Sequence, residues 1–184
     1  TGSRIVPEPY ALGTLSPTAI APEWGWELAT YGLWNVGGWP LLSVFIMALA
    51  AGLAWGLVAA IERLAPLAPA GAIVLASTAA FVAISSRMRL RPEAVGNVCL
   101  VLSLILGVCW RERSKKRWLV GVAIILLAAF WVQFHGSAVL APALFLLTGV
   151  SVPLIGARPD TARADAVVLF GVCAAQLTGA WGFD

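Results

Sequence analysis

Residues 40–61, PLLSVFIMALAAGLAWGLVAAI, form an apolar run without an ionisable side chain. At about 1.5 Å per residue, this run would make a helix about 33 Å long. The hydrocarbon core of a bilayer is about 30 Å thick. Pro40 suits the first turn of a helix, where its missing N–H has no role. The stretch therefore predicts a transmembrane helix.

The composition of the whole chain indicates the same class of protein. Of its 184 residues, 60% are hydrophobic and 11% are charged, and the mean hydropathy is +0.90. These values are typical of a polytopic membrane protein. The net charge is only +3, and no basic stretch with interleaved aromatics is present, so we expect no nucleic-acid partner.

Five more apolar segments follow the first, which predicts about six spans. They cover residues 70–86, 94–110, 118–134, 137–155 and 166–181. Prolines and the His135-Gly136 pair separate them, at points where helices would end. The charged segment 158–165 is interpreted as a solvated connector. The predicted fold class is all-α, a polytopic transmembrane helical bundle.

The N-terminal part has a different pattern. Prolines and glycines before residue 22 favour an irregular loop. From Pro22 onward, Trp24, Leu28 and Tyr31 recur at helical spacing, which predicts an interfacial amphipathic helix that ends at Gly37-Gly38. We therefore divide the chain into an extracytoplasmic arm, residues 1–38, and a transmembrane bundle, residues 39–184.

The positive-inside rule predicts the orientation, because lysines and arginines concentrate in cytoplasmic loops. With six alternating spans, eight of the twelve basic residues fall on one side and four on the other. The larger group includes the loop 111–117, which is therefore predicted to be cytoplasmic. The loop 87–93, the His135 junction and the arm 1–38 are then extracytoplasmic.

The polar residues on this outer side are the candidate site. The only histidine, His135, separates two apolar runs, and ionisable groups at such places are often functional. Three arginines lie on the outer side against the topological bias, and guanidinium groups suit phosphate ligands. Snorkelling to lipid headgroups or pairing with nearby glutamates remains an equal alternative for them. The arginines are Arg87, Arg89 and Arg91.

Several short motifs, taken in order, resemble the N-terminal half of the polytopic GT-C glycosyltransferases. Each motif is short, and it is their order along residues 5–145 that carries the resemblance. The motifs are Pro7-Glu8-Pro9-Tyr10, Gly13, Glu23-Trp24 with Glu27, Gly37-Gly38, Arg87, Arg91-Pro92-Glu93 and Trp131-x-Gln133-x-His135-Gly136.

The resemblance implies transfer of a sugar from a polyprenyl-phosphate donor at the outer face of a bacterial inner membrane. It implies Glu8 and His135 as catalytic residues, with Glu8 as the base that activates the acceptor hydroxyl. It implies substrate binding by Glu23, Glu27, Arg87, Arg89, Arg91, Glu93 and Gln133. Gln133 stands where the family pattern has asparagine. The family also has helices before and after this region, so we expect a truncated or degenerate member.

A second hypothesis is a non-catalytic accessory subunit that keeps this scaffold within a larger membrane complex, respiratory or photosynthetic. For His135 the structural alternative is a helix-end residue bonded to its neighbours. A divalent metal is compatible with the transferase chemistry, but cofactor identity is left unassigned. A lone histidine gives no pattern that favours haem or chlorophyll. Membrane lipid is the expected partner under either hypothesis, with partner subunits under the second.

Overall fold

The computed structural model describes residues 24–85, 90–112, 117–150 and 159–179. Within these ranges the chain is helical and contains no strand. The helices are α1 (Trp24–Leu64), α2 (Ala70–Ser85), α3 (Pro92–Arg111), α4 (Arg117–Phe134), a 3₁₀ helix (Gly136–Leu140), α5 (Ala141–Thr148) and α6 (Pro159–Gln176).

Helices α1, α3 and α4 are long and apolar enough to cross a membrane. The chain is therefore an all-α membrane protein, as the composition predicts. Shorter apolar helices occupy Ala70–Ser85 and Gly136–Thr148. Each of the six predicted segments thus contains helix in its described part. Three of these helices are long and apolar enough to cross a membrane.

Helix α1 is sharply bent at Gly38, whose φ of 55° and ψ of −148° are non-helical. Glycine tolerates this positive φ because it has no Cβ. The ring centroids of Trp26 and Phe45 lie 6.0 Å apart, whereas a straight helix would separate these residues by about 28 Å. The limb 24–37 therefore folds back against the limb 39–64, which confirms the predicted break at Gly37-Gly38.

Two hydrophobic clusters hold the helices together. The larger surrounds the fully buried Trp131 and includes Trp26, Trp110 and Phe145. The smaller joins Leu53, Leu57 and Ala60 of α1 to Val101 of α3, with side chains of α2 packed against it. Helix α1 thus contributes to both clusters, and α3 links them.

Helix α6 corrects two sequence predictions. It begins at Pro159, seven residues before the predicted start, so most of the segment 158–165 is helix and not a solvated connector. Asp165 accepts hydrogen bonds from Trp110 Nε1 at 2.8 Å and from Arg117 at 2.5 Å. The Arg117 guanidinium also lies 4.0 Å from the Trp110 ring centroid. These contacts tie α3, α4 and α6 together at one end of the bundle.

Candidate functional site

The described ionisable residues collect at the two ends of the bundle. The start of α3, with Arg91 and Glu93, lies beside the end of α4, where His135 is packed against Gly96. The first limb of α1 arrives at the same end, because Gly25 packs against the backbone of Gln133. We call this the His135 end. The opposite end carries Arg63, Arg111, Arg117, Arg163 and Asp165.

Five of the nine predicted site residues lie in the described part of the chain. Glu27, Arg91, Glu93, Gln133 and His135 are all at the His135 end. The remaining four, Glu8, Glu23, Arg87 and Arg89, lie outside the described residues.

His135 caps the 3₁₀ helix through its ring. The backbone N–H of Ser137 donates to His135 Nδ1 at 3.0 Å, and the Ser137 Oγ lies 2.6 Å from the same nitrogen. The indole Nε1 of the buried Trp131 donates to Ser137 Oγ at 3.2 Å. Trp131 and His135 are four residues apart, so their side chains lie on the same face at the C-terminal end of α4.

Gly96 of α3 forms the surface under this group. A Cβ at position 96 would lie 3.1 Å from Ser137 Oγ and 3.4 Å from His135 Nδ1. The contact with Ser137 Oγ would be tighter than ordinary van der Waals packing, so the glycine permits the hydroxyl, with the imidazole beside it, to rest directly on α3. The group is therefore held from two sides, by α3 and by Trp131.

Gln133 uses its amide to join three elements. Its Oε1 accepts from Trp24 Nε1 at 3.1 Å, which attaches the start of α1. Its Nε2 donates to the backbone oxygen of Thr178 at 2.9 Å, to Thr178 Oγ1 at 3.1 Å and to Ala129 O at 3.3 Å. The amide is thus engaged within the protein, and the role of Gln133 in substrate binding stays a prediction.

Arg91 and Glu93 lie at the N-terminus of α3. Arg91 is the exposed N-cap residue, in extended conformation, and its side chain makes no capping hydrogen bond. Glu93 is in the first turn, and its Oε2 is buried without a hydrogen-bond partner among the described residues. Positions 93 and 96 are one turn apart, so Glu93 shares the α3 face on which His135 rests.

The sequence did not point to three of the residues that organise this end. Ser137 lies two residues after His135, a spacing at which a side chain can bond to a backbone N–H. This local pattern could have predicted the contact between the two residues. Gly96 and Thr178 have no local signal, because their roles depend on tertiary contacts. Among the described residues, no three His, Cys, Asp or Glu side chains come together to hold a metal ion.

No protein-family model, curated protein or solved structure matches the chain.

Proposed function

We propose that the chain is a GT-C-like membrane glycosyltransferase, or part of one, that binds a polyprenyl-phosphate sugar donor at the His135 end. The sugar would be transferred at the outer face of a bacterial inner membrane. The observation that carries the proposal is the convergence of an exposed arginine, a helix N-terminus and an imidazole at one end of an apolar bundle.

A lipid-linked phosphate suits these three groups. The N-terminus of α3 presents the positive end of the helix dipole, which favours an anion, although Pro92 has no N–H and the N–H of Ala94 donates to Arg91 O. Arg91 precedes the first helical residue and would add a guanidinium fork. His135, held over Gly96 one turn further along α3, would add an imidazole donor. The prenyl chain would lie along the apolar surface of the bundle.

The carboxylates have separate proposed roles. Glu93 would accept hydrogen bonds from hydroxyls of the donor sugar, because an ionised carboxylate is only an acceptor. Glu8 remains the proposed base for the acceptor hydroxyl, by the resemblance alone. Glu27 is exposed on the first limb of α1, two residues after Gly25, which packs against Gln133, so it would lie near the same ligand.

The distribution of arginines supports the orientation. Of the described arginines, Arg91 alone is at the His135 end, and the other four are at the opposite end. Cytoplasmic loops carry the excess of basic residues. We therefore place the His135 end outside and the end with the Asp165–Arg117 pair in the cytoplasm.

The test compares two exposed arginines at opposite ends. The protein is purified in mild detergent, and native mass spectrometry measures co-purifying polyprenyl phosphate and its sugar conjugates. We expect wild type and the control Arg111→Ala to carry the lipid and Arg91→Ala to lose most of it. Equal retention by both variants, or the absence of such a lipid from wild type supplied with it, would contradict the proposal.

A second function, an accessory subunit of a larger membrane complex, is favoured by one observation on α2. Of the sixteen residues in this helix, only Ser77 is buried. The outer surface of α2 is therefore open to lipid or to another subunit. In the same preparation, stoichiometric partner chains without a lipid donor would favour this second function over the first.

A further inference from the structure

We propose that the bundle binds an anionic phospholipid at the end opposite to His135, with the headgroup at Arg111 and Arg117 and one acyl chain along α4. This end carries the ion pair between Arg117 and Asp165, and we call it the Arg117 end. The lipid is a component of the membrane, and its site is separate from that of the proposed sugar donor.

The Arg117 end has a surplus of positive charge. Segment 111–117 contains five basic residues and one acidic residue, a net charge of +4. Arg111 is exposed and forms no ion pair with a described residue. Basic residues at a membrane boundary attract anionic lipids, and each contributes about fivefold to the affinity. Charge complementarity therefore favours an anionic headgroup over a zwitterionic one.

Arg117 is held in a fixed orientation. Its Nη2 donates to Asp165 Oδ1, and its guanidinium lies 4.0 Å from the centroid of the Trp110 ring, whose Nε1 donates to the same oxygen. The Arg117 side chain is 21% exposed. A guanidinium has five N–H donors, and Asp165 is the only described residue that accepts from them. Arg117 therefore supplies oriented donors for phosphate oxygens, while Arg111 supplies the charge that Asp165 offsets at Arg117.

An apolar stripe runs along α4 from the same end. Its four residues lie four positions apart, so they are neighbours on one face of the helix, and each is between 45% and 67% exposed. The stripe is about 18 Å long, and one leaflet of the hydrocarbon core is about 15 Å thick. It therefore matches one acyl chain of a lipid whose headgroup lies beside Arg117. The four residues of this α4 stripe are Trp118, Val122, Leu126 and Phe130.

Helix α2 provides a comparison within the same chain. Its surface is also apolar and open, because only Ser77 is buried. However, segment 64–85 contains no charged residue, so a lipid beside the start of α2 finds no adjacent cation for its phosphate. We therefore expect an anionic lipid to prefer the α4 stripe over α2, although both surfaces suit acyl chains.

The first experiment measures lipid selectivity. Protein stripped of lipid in mild detergent receives phosphatidylglycerol and phosphatidylcholine with identical acyl chains, and native mass spectrometry measures the bound fraction of each. We expect wild type to bind phosphatidylglycerol more tightly, and Arg111→Ala to lose about fivefold of that affinity without a change for phosphatidylcholine. Equal binding of the two lipids by wild type would overturn the proposal.

Two further variants separate the site from the overall charge of the protein. Arg63→Ala removes an exposed arginine from the last turn of α1 and changes the net charge as Arg111→Ala does, so it should keep the wild-type affinity for phosphatidylglycerol. Arg117→Lys keeps the charge but loses the planar fork, so it should weaken the binding of phosphatidylglycerol alone. Equal losses in Arg63→Ala and Arg111→Ala would assign the effect to net charge and contradict the site.

The second experiment locates the lipid. Phosphatidylglycerol with a photoreactive group in one acyl chain is cross-linked to the protein, and peptide mass spectrometry maps the label. The label should concentrate on residues 118–130 and not on α2, whereas equal labelling of both helices would overturn the proposal. Glycerol 1-phosphate at the same concentration should leave the lipid bound. Its displacement of the lipid would assign the site to a free anion and contradict the lipid.

Discussion

The contact between α1 and α3 gives a prediction with an internal control, because α1 contains two glycines one turn apart. A Cβ added at Gly56 would lie 2.8 Å from Val101 Cγ1, whereas a Cβ at Gly52 would meet no atom within 4 Å. Favourable contacts between carbons lie at about 3.5–4.0 Å. We therefore compare Gly56→Ala with Gly52→Ala.

The expected difference in stability between the two variants comes from the overpacking at position 56, because their other effects are the same. Each replaces glycine by alanine within a helix, a change that favours the helix by about 0.5–1 kcal/mol and cancels in the comparison. Only Gly56→Ala overpacks the smaller cluster, which typically costs about 1–3 kcal/mol. Val101 is 2% exposed and branched at Cβ, so it has no free space to rotate into. Gly56→Ala should be less stable than Gly52→Ala by about 1–3 kcal/mol.

The assay is thermal unfolding in detergent, followed by circular dichroism. A difference of 1 kcal/mol corresponds to roughly 2–4 °C in Tm for a chain of this size. Val101→Ala removes the Cγ1 methyl group that faces the new Cβ, so it should cost less stability in the Gly56→Ala background than in wild type. Equal melting of the Gly52 and Gly56 variants, or a Val101→Ala cost that is the same in both backgrounds, would refute the packing argument.

Three more predictions concern the two ends of the bundle. Asp165→Asn weakens a charge-assisted bond to Arg117 and should lower stability by about 1–3 kcal/mol, measured by the same melting assay; an unchanged Tm would mean that the pair contributes little. Gln133→Asn shortens the side chain by one methylene, so its amide cannot reach both Trp24 and Thr178, and the melting temperature should fall. With the native cysteines replaced, Arg91→Cys should react with an impermeant maleimide in right-side-out vesicles and Arg111→Cys only after permeabilisation. Labelling of both from one side would contradict the proposed crossing of α3.

The sequence predicted the features of the fold that local signals determine. Gly37-Gly38 followed by Pro40 marks a break between two helical patterns, and α1 bends at Gly38. Proline also marks the start of α3 at Pro92. These residues act through their own backbone restrictions, and such restrictions are visible in a single sequence.

The features that the sequence did not predict depend on partners far along the chain. The sequence predicts that the last helix starts after Asp165, because aspartates among arginines in the segment 158–165 indicate a solvated connector. In the structure that carboxylate is paired by Arg117 and Trp110, so the helix continues through it. The folding of Trp26 onto Phe45 is likewise invisible until both limbs of α1 are placed.

The motif Trp131-x-Gln133-x-His135 shows why the structural and functional interpretations of the histidine are compatible. Trp131 and His135, one turn apart, converge on Ser137, while Gln133 between them bonds to Trp24 and Thr178. The same six residues therefore close the bundle and fix the ring. The packing that makes His135 a helix cap thus also holds its ring at the end of the bundle where the proposed lipid phosphate would bind.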